Sequence, residues 1–106
     1  MWGKHTLFDN ALKSTLIIKI PGANGTKKVI KTIVETVDIY PSILEICNID
    51  EPYPLDGDSF VDLLENEEPA REDVAYSYFK NGISVRTDRY RLTKYYRQEK
   101  PTIELY

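Results

Sequence analysis

The sequence predicts an α/β fold in its first part and a small antiparallel β-sheet after Pro69. A near-continuous apolar and β-branched run at residues 15–20, closed by Pro-Gly, is typical of a strand covered on both faces. An apolar stripe at helical spacing follows at residues 39–47. Residues 74–79, 83–87 and 90–96 are β-rich and are separated by the turn dipeptides Asn81-Gly82 and Asp88-Arg89, and residues 102–106 add a fourth strand.

The helix of the first part has the clearest local signals. Asp38 is the predicted N-cap, and Pro41 falls in the first turn, where its missing N–H is not needed. The predicted buried stripe comprises Ile39, Ile43 and Ile46, flanked by Tyr40, Leu44 and Cys47. A small thiol on such a stripe is typical of core packing, so Cys47 is not expected to be a nucleophile.

The domain organisation follows from the connections. Asn24-Gly25 predicts a turn, and Asp56-Gly-Asp-Ser59 predicts a turn and N-cap for a short helix over residues 60–65. An acidic run at residues 65–68 precedes Pro69 and is typical of an exposed linker. We therefore divide the chain into residues 1–68, the end of a larger α/β domain, and residues 69–106, a sheet subdomain that is incomplete at its end.

Composition limits the possible functions of this 106-residue chain. One Cys and one His exclude an internal disulfide framework and a cysteine-rich zinc site. The longest apolar stretch, residues 16–18, is too short to span a membrane. The net charge of −3 argues against nucleic-acid binding. A basic cluster among tyrosines is typical of single-stranded nucleic-acid binding, but it is also typical of the polar and aromatic faces of an antiparallel sheet. The cluster comprises Arg86, Arg89, Arg91, Lys94 and Arg97.

One segment, Trp2-Gly-Lys-His-Thr6, combines groups that suit binding of an anionic ligand. Gly3 permits close backbone approach, Lys4 supplies a cation and His5 supplies a titratable donor. Because ligands commonly bind in loops next to sheet strands, Lys4 and His5 are candidate ligand-binding residues. By itself the pattern is equally typical of an exposed basic pair, and a substrate-binding role follows only from the resemblance given next.

Four motifs in order give the chain a family resemblance. They are Trp2-Gly-Lys-His-Thr-Leu-Phe-Asp9, Thr15-Leu-Ile-Ile-Lys-Ile-Pro-Gly22, Val34-Glu-Thr-Val-Asp-Ile-Tyr-Pro-Ser-Ile-Leu-Glu-Ile46 and Leu55-Asp-Gly-Asp-Ser-Phe60. Together they resemble the later part of type I sulfatases, the formylglycine-dependent and calcium-dependent sulfate-ester hydrolases of the alkaline phosphatase superfamily. Ile83-Ser-Val-Arg-Thr-Asp-Arg-Tyr-Arg-Leu92 and the final Glu-Leu-Tyr106 fit the same family, most closely its bacterial iduronate-2-sulfatase-like branch.

The resemblance implies roles for a few residues. Lys4 matches the lysine that reaches the sulfate group of the substrate in such enzymes, and His5 contacts the substrate or supports the loop. Asp9 is expected to hold the loop by a hydrogen bond, whereas Trp2 and Phe8 are expected to pack around it.

Other parts of the family pattern are not found in this sequence. It contains no Cys/Ser-x-Pro-x-Arg motif to provide the formylglycine nucleophile, and the paired carboxylates that bind calcium in the family have no match. Asp56 and Asp58 belong to a turn motif rather than a metal site, and Lys13-Ser14-Thr15 replaces the family's Arg-x-Pro. The resemblance thus implies the C-terminal part of a sulfatase, inactive alone, with the nucleophile and calcium held by the rest of the sulfatase chain. It further implies sulfated carbohydrates or other sulfate esters as substrates. The location stays open, and a periplasmic or an extracellular one is compatible with the resemblance.

Two alternatives remain. A phosphonate or phosphodiester hydrolase of the same superfamily would share the fold and part of the loop. A stand-alone, non-catalytic module would instead use the tyrosine-rich sheet to bind carbohydrate or protein.

Overall fold

The computed structural model describes residues 5–22, 28–65 and 74–106. The Asn24-Gly25 turn, most of the acidic run and the domain boundary at Pro69 lie outside the described residues, so the division into 1–68 and 69–106 stays a prediction. In chain order the elements are α1 (Asp9–Leu12), a 3₁₀ turn (Thr36–Asp38), α2 (Ile39–Ile46), α3 (Val61–Glu65), β1 (Ala75–Phe79), β2 (Gly82–Arg86), β3 (Arg91–Tyr95) and β4 (Thr102–Leu105).

The four strands form one antiparallel sheet in the order β1-β2-β3-β4. Each strand lies within two residues of its predicted position. The first turn differs from the prediction, because Gly82 is the first residue of β2 and pairs with Phe79, so that Lys80 and Asn81 make the turn. Lys80 takes the positive φ of 51°.

The two faces of the sheet differ in character. The face that contacts the N-terminal segment is polar, and there the buried hydroxyls of Ser84 and Thr93 lie 3.0 Å apart in a cross-strand hydrogen bond. The opposite face is apolar and largely exposed, with Tyr76, Tyr78, Leu92, Ile103 and Leu105 all more than two-fifths exposed. This polarity is the reverse of an ordinary half-buried sheet, in which the apolar face is covered.

α2 and α3 pack together around Leu44, Phe60 and Leu63, which are among the few buried large apolar side chains of the described chain. The Ser42 hydroxyl joins the two helices, since it donates to the Asp38 carbonyl (2.6 Å) and accepts from the Phe60 backbone N–H (2.9 Å).

The predicted apolar stripe of α2 does not coincide with the buried side of the helix, so this prediction is wrong. Pro41, Ser42 and Leu44 are buried, whereas Ile43 is 50% exposed. The Ser42 bonds and the position of α3 decide which side of this short helix is covered. Cys47 is also exposed, contrary to the expected core packing.

Asp38 stands at the predicted N-cap position of α2, but its side chain does not cap that helix. Its carboxylate accepts instead from the backbone N–H groups of Glu35 (2.7 Å) and Asp58 (3.0 Å). The side chain thereby ties the turn at residues 56–59 to the start of the helix. The same turn leads into α3 as predicted, with the Ser59 hydroxyl accepting from the Val61 N–H (3.2 Å).

The strand predicted at residues 15–20 is not formed. The segment is irregular, and Ile17 is 87% exposed. A strand requires a neighbouring strand for its backbone hydrogen bonds, and every strand assigned in the described ranges belongs to the four-stranded sheet of residues 75–105, in which residues 15–20 are not paired. None of the helices in the described part of the chain is long and apolar enough to span a membrane.

Candidate functional site

The segment that follows the predicted Lys4-His5 pair lies directly on the polar face of the sheet. Leu7 is 1% exposed, and its Cδ1 would be only 2.7 Å from a Cβ atom at Gly82. A Cβ there would also approach the ring of Tyr95 at 3.0 Å. The absence of a side chain at Gly82 is thus what lets Leu7 pack against the strand backbone.

Arg91, the first residue of β3, attaches this segment to the sheet by two contacts. Its Nη1 donates to the Leu7 carbonyl oxygen at 3.0 Å, and its Nη2 forms an ion pair with the Asp9 carboxylate. A second arginine, Arg86 on β2, approaches Asp9 Oδ2 at 3.7 Å. The expectation that Asp9 holds the loop agrees with these contacts, although the bonds are ionic and reach two strands.

His5 lies at the β1 edge of the same face. Its ring centroid is 5.8 Å from that of Phe79, with the planes tilted by 48°, and the His5 side chain is exposed. Two residues later the chain turns, with the Phe8 N–H donating to the Thr6 hydroxyl at 3.1 Å. His5 therefore has one side against an aromatic ring and remains accessible to a ligand on the other.

Lys4 and Trp2 lie outside the described residues, so the structure does not test the role predicted for Lys4. Phe8, which was expected to pack around the loop, is 46% exposed. What the described residues define is the anchored backbone from Leu7 to Asp9, which begins three residues after Lys4.

The remaining candidates from the sequence have structural positions. The Asp58 backbone is bound to Asp38, and Asp56 is exposed in the same turn. Across residues 5–22, 28–65 and 74–106, no group of three or more His, Cys, Asp or Glu side chains could hold a metal ion. Calcium binds six to eight oxygen atoms, so these residues do not fit a calcium site.

The basic cluster of the sheet does not form one free surface. Arg86 and Arg91 point to the N-terminal segment, whereas Lys94 lies over the Tyr96 ring on the other face, at 4.8 Å from its centroid. Arg89 similarly lies 5.4 Å from the centroid of the Tyr90 ring. In the sequence Arg91 is recognisable only as a member of the basic cluster, and its contact with Leu7 becomes visible only in the fold. Arg91 lies opposite Arg86 across two predicted neighbouring strands. Residues paired in this way point to the same face of a sheet, and this is the signal in the sequence that could have linked them.

Comparison with known proteins identifies the family. The whole chain, residues 1–106, matches the family described as N-sulphoglucosamine sulphohydrolase, C-terminal. The chain therefore belongs to this family of sulfatase C-terminal regions.

Similar proteins include two sulfatases of Formosa agariphila. One, named simply a sulfatase, is 31% identical over 95 residues, which cover 89% of this chain and 18% of that protein. The other, an ulvan-active sulfatase, is 31% identical over 67 residues, which cover 62% of this chain and 13% of that protein. This chain thus spans less than a fifth of either relative. The iduronate-2-sulfatase-like branch is not confirmed by these matches.

A solved structure supports the fold. The protein BT4656, in complex with its substrate D-glucosamine-2-N,6-O-disulfate, is 26% identical to this chain with a TM-score of 0.55. The similarity covers 65% of this chain and 16% of that one. The small antiparallel sheet with few helices is accordingly the sulfatase C-terminal subdomain that the sequence predicts.

Proposed function

We propose that this chain is the C-terminal part of a sulfatase that hydrolyses sulfate esters of sugars, and that Lys4 binds the sulfate group of the substrate. The family match over the whole chain supports the reaction class. The sulfated glucosamine bound by BT4656 and the ulvan-active relative support a sulfated carbohydrate as the substrate.

The observation that carries the role of the loop is its attachment to the sheet. Packing of Leu7 under β2 and the two contacts of Arg91 hold the backbone immediately after the Lys4-His5 pair. Binding residues act best when their backbone is held in one position, because little conformational freedom is then lost on binding. A segment held in this way is suited to present a cation to an anionic group.

The chemistry of Lys4 follows from its ammonium group. A compact positive charge stabilises the anionic sulfate oxygens while the S–O bond breaks and negative charge builds on the leaving-group oxygen. His5, which is accessible beside Phe79, is proposed to donate a hydrogen bond to the substrate or to support the loop.

The nucleophile and the metal are proposed to come from the rest of the sulfatase chain. The family resemblance implies a formylglycine nucleophile and a calcium ion, which would supply positive charge at the sulfate oxygens. The described residues do not fit a calcium site, so no ligand role is assigned to Asp56 or Asp58. The chain alone is accordingly expected to be inactive.

The exposed apolar residues agree with a place in a larger fold. Leu16, Ile17 and Ile18 are 44%, 87% and 39% exposed, although their pattern is that of a buried strand. Such a segment is expected to form its strand when it pairs with the parallel strands of a larger α/β domain.

The test is the rate of sulfate release from a sulfated glucosamine by the complete sulfatase and by its Lys4→Ala variant. Loss of one charged contact to the developing anion should lower kcat/KM by about a hundredfold or more. Lys13→Ala removes an exposed lysine of the same segment and serves as the matched control. Unchanged kinetics in Lys4→Ala would show that Lys4 does not bind the sulfate group.

The same assay separates the reaction classes. Parallel measurements with phosphonate monoesters and phosphodiesters distinguish a sulfatase from the related hydrolases, which would turn over the phosphorus esters faster.

A non-catalytic binding module is the second candidate, and the observation in its favour is the exposed tyrosine-rich face of the sheet, where Tyr78 is 74% exposed. A module of this kind would unfold cooperatively and bind carbohydrate or protein as the isolated chain. Lack of both properties would exclude it.

A further inference from the structure

We propose that Arg91 is a positioning residue for catalysis, which fixes the Lys4-His5 segment in the orientation that the sulfate group requires. The inference rests on the proposed function of that segment and adds to it a residue far away in the sequence. Arg91 itself has no expected contact with the substrate.

The geometry of the contacts carries the argument. Two nitrogens of one guanidinium reach the backbone carbonyl of Leu7 and the side chain of Asp9, which lie two and four residues after His5. Because the guanidinium is planar and rigid, two contacts from its edge define a direction as well as a position. The backbone from Leu7 to Asp9 is therefore fixed against rotation over the sheet as well as against sliding along it.

The support beneath Arg91 is itself rigid. Its backbone N–H donates to the Tyr106 carbonyl and its carbonyl accepts from the Tyr106 N–H, both at 2.9 Å. On its other side it is paired with Arg86 of β2. Arg91 is thus held by strands on both sides, and the fixed backbone makes the position of its guanidinium reproducible.

The burial of Arg91 indicates that a contribution to the stability of the fold does not by itself explain why an arginine occupies this position. Arg91 is 4% exposed, and its Nε atom is buried without a hydrogen-bond partner among the described residues. Removing a guanidinium from water is costly, and its partner Asp9 is 41% exposed, so solvent screening leaves the ion pair little energy to offset that cost. A buried charge with one unsatisfied donor contributes little to stability. Its two directional contacts nevertheless orient the segment that they reach.

The expected kinetic effect follows from misplacement of the loop. Arg91→Met keeps much of the side-chain volume and removes both contacts, so the backbone from Leu7 to Asp9 can shift on the sheet and no longer sets the direction of the chain that precedes it. A displacement of about 1 Å at a binding group lowers rates by up to a hundredfold, and we expect kcat/KM to fall tenfold to a hundredfold. Arg89→Met, which removes an exposed arginine of the neighbouring turn, is the matched control and should leave kcat/KM unchanged.

A double-mutant cycle with Lys4→Ala in the complete sulfatase tests the inference. If Arg91 acts through Lys4, then Arg91→Met should change kcat/KM by less than threefold in the Lys4→Ala background, since the contact that it aligns is already lost. A purely structural role would lower the amount of active enzyme by the same factor in both backgrounds. The concentration of folded enzyme is measured by circular dichroism for each variant.

The outcomes separate this inference from the proposed function. Full additivity of the two substitutions overturns the positioning role of Arg91 while leaving Lys4 in place. Unchanged kinetics in Lys4→Ala overturns the proposed function and this inference with it.

If Arg91→Met does not fold, a second and milder variant tests the same inference. Asp9→Asn removes the charge of a carboxylate that is 41% exposed and leaves the bond from Arg91 to Leu7. We expect a threefold to tenfold loss of kcat/KM that again disappears in the Lys4→Ala background. Loss of equal size in both backgrounds contradicts the proposal.

Discussion

Gly57 lies where the turn before α3 touches the start of α2, and its replacement by alanine should destabilise the fold. A Cβ atom at this position would be 2.4 Å from the Val37 carbonyl oxygen, 2.5 Å from its carbon and 2.8 Å from the Asp38 nitrogen. All three are backbone atoms, which cannot rotate away as the end of a side chain can. The turn must therefore move away from the helix.

The size of the effect follows from what that movement breaks. Overpacking costs about 1–3 kcal/mol. Displacing the turn also weakens the charge-assisted hydrogen bond from the Asp58 N–H to Asp38, and such bonds contribute about 1.5–3 kcal/mol. Because the two effects share one displacement, they do not add fully. We expect Gly57→Ala to lower the free energy of unfolding by about 2–4 kcal/mol.

Gly22→Ala is the control for this prediction. A Cβ atom at Gly22 would meet no atom of the described residues within 4 Å, but the residue has a φ of +80°, so its replacement is expected to cost conformational strain of about 1 kcal/mol. Urea denaturation followed by circular dichroism measures both variants. If Gly57→Ala destabilises the protein no more than Gly22→Ala does, the close contact between the turn and the helix is refuted.

Two further predictions concern single hydrogen bonds. Ser42→Ala leaves the buried Phe60 N–H without its acceptor and should lower the free energy of unfolding by about 1–3 kcal/mol, whereas Thr15→Ala on the exposed segment should change it little. Equal urea midpoints for the two variants would contradict the bridging role of Ser42. Desolvation and the adjacent Glu104 carboxylate, which accepts a hydrogen bond from the Tyr106 hydroxyl at 3.3 Å, raise the pKa of Tyr106 above its ordinary value of 10.0. The phenol therefore stays protonated to higher pH. Glu104→Gln should lower the pKa of Tyr106, measured by an ultraviolet titration of phenolate in which Tyr106→Phe identifies the Tyr106 signal. An unchanged Tyr106 midpoint in Glu104→Gln would exclude the carboxylate as a cause.

Local patterns predicted the sheet well because each strand carries its own signal. β-rich runs mark all four strands and turn dipeptides separate the first three, and antiparallel neighbours along the chain pair without distant partners. The turn at Asn81-Gly82 was placed one residue late, since the sequence gives no sign that Leu7 occupies the space above Gly82.

The errors in the first part of the chain have a different origin. The segment 15–20 has the composition of a buried strand, but strand formation depends on a partner, and the described chain supplies none there. In α2, Ser42 is buried and Ile43 exposed because two hydrogen bonds outweigh the apolar pattern of an eight-residue helix.

The site could be predicted only in part. The family motif drew attention to Lys4, His5 and Asp9, whereas the link between Leu7 and Arg91 joins residues 84 positions apart. Periodicity and spacing report on neighbours in sequence, so a contact of this range becomes visible only in the folded chain.

Whether this chain is part of a complete sulfatase is decided by the intact mass of the native gene product, combined with peptide mapping upstream of Trp2. The proposed function requires a mass several times the 12.3 kDa of this chain and an upstream peptide that carries formylglycine. A mass equal to that of the chain would contradict it, and the binding-module function would then be the better explanation.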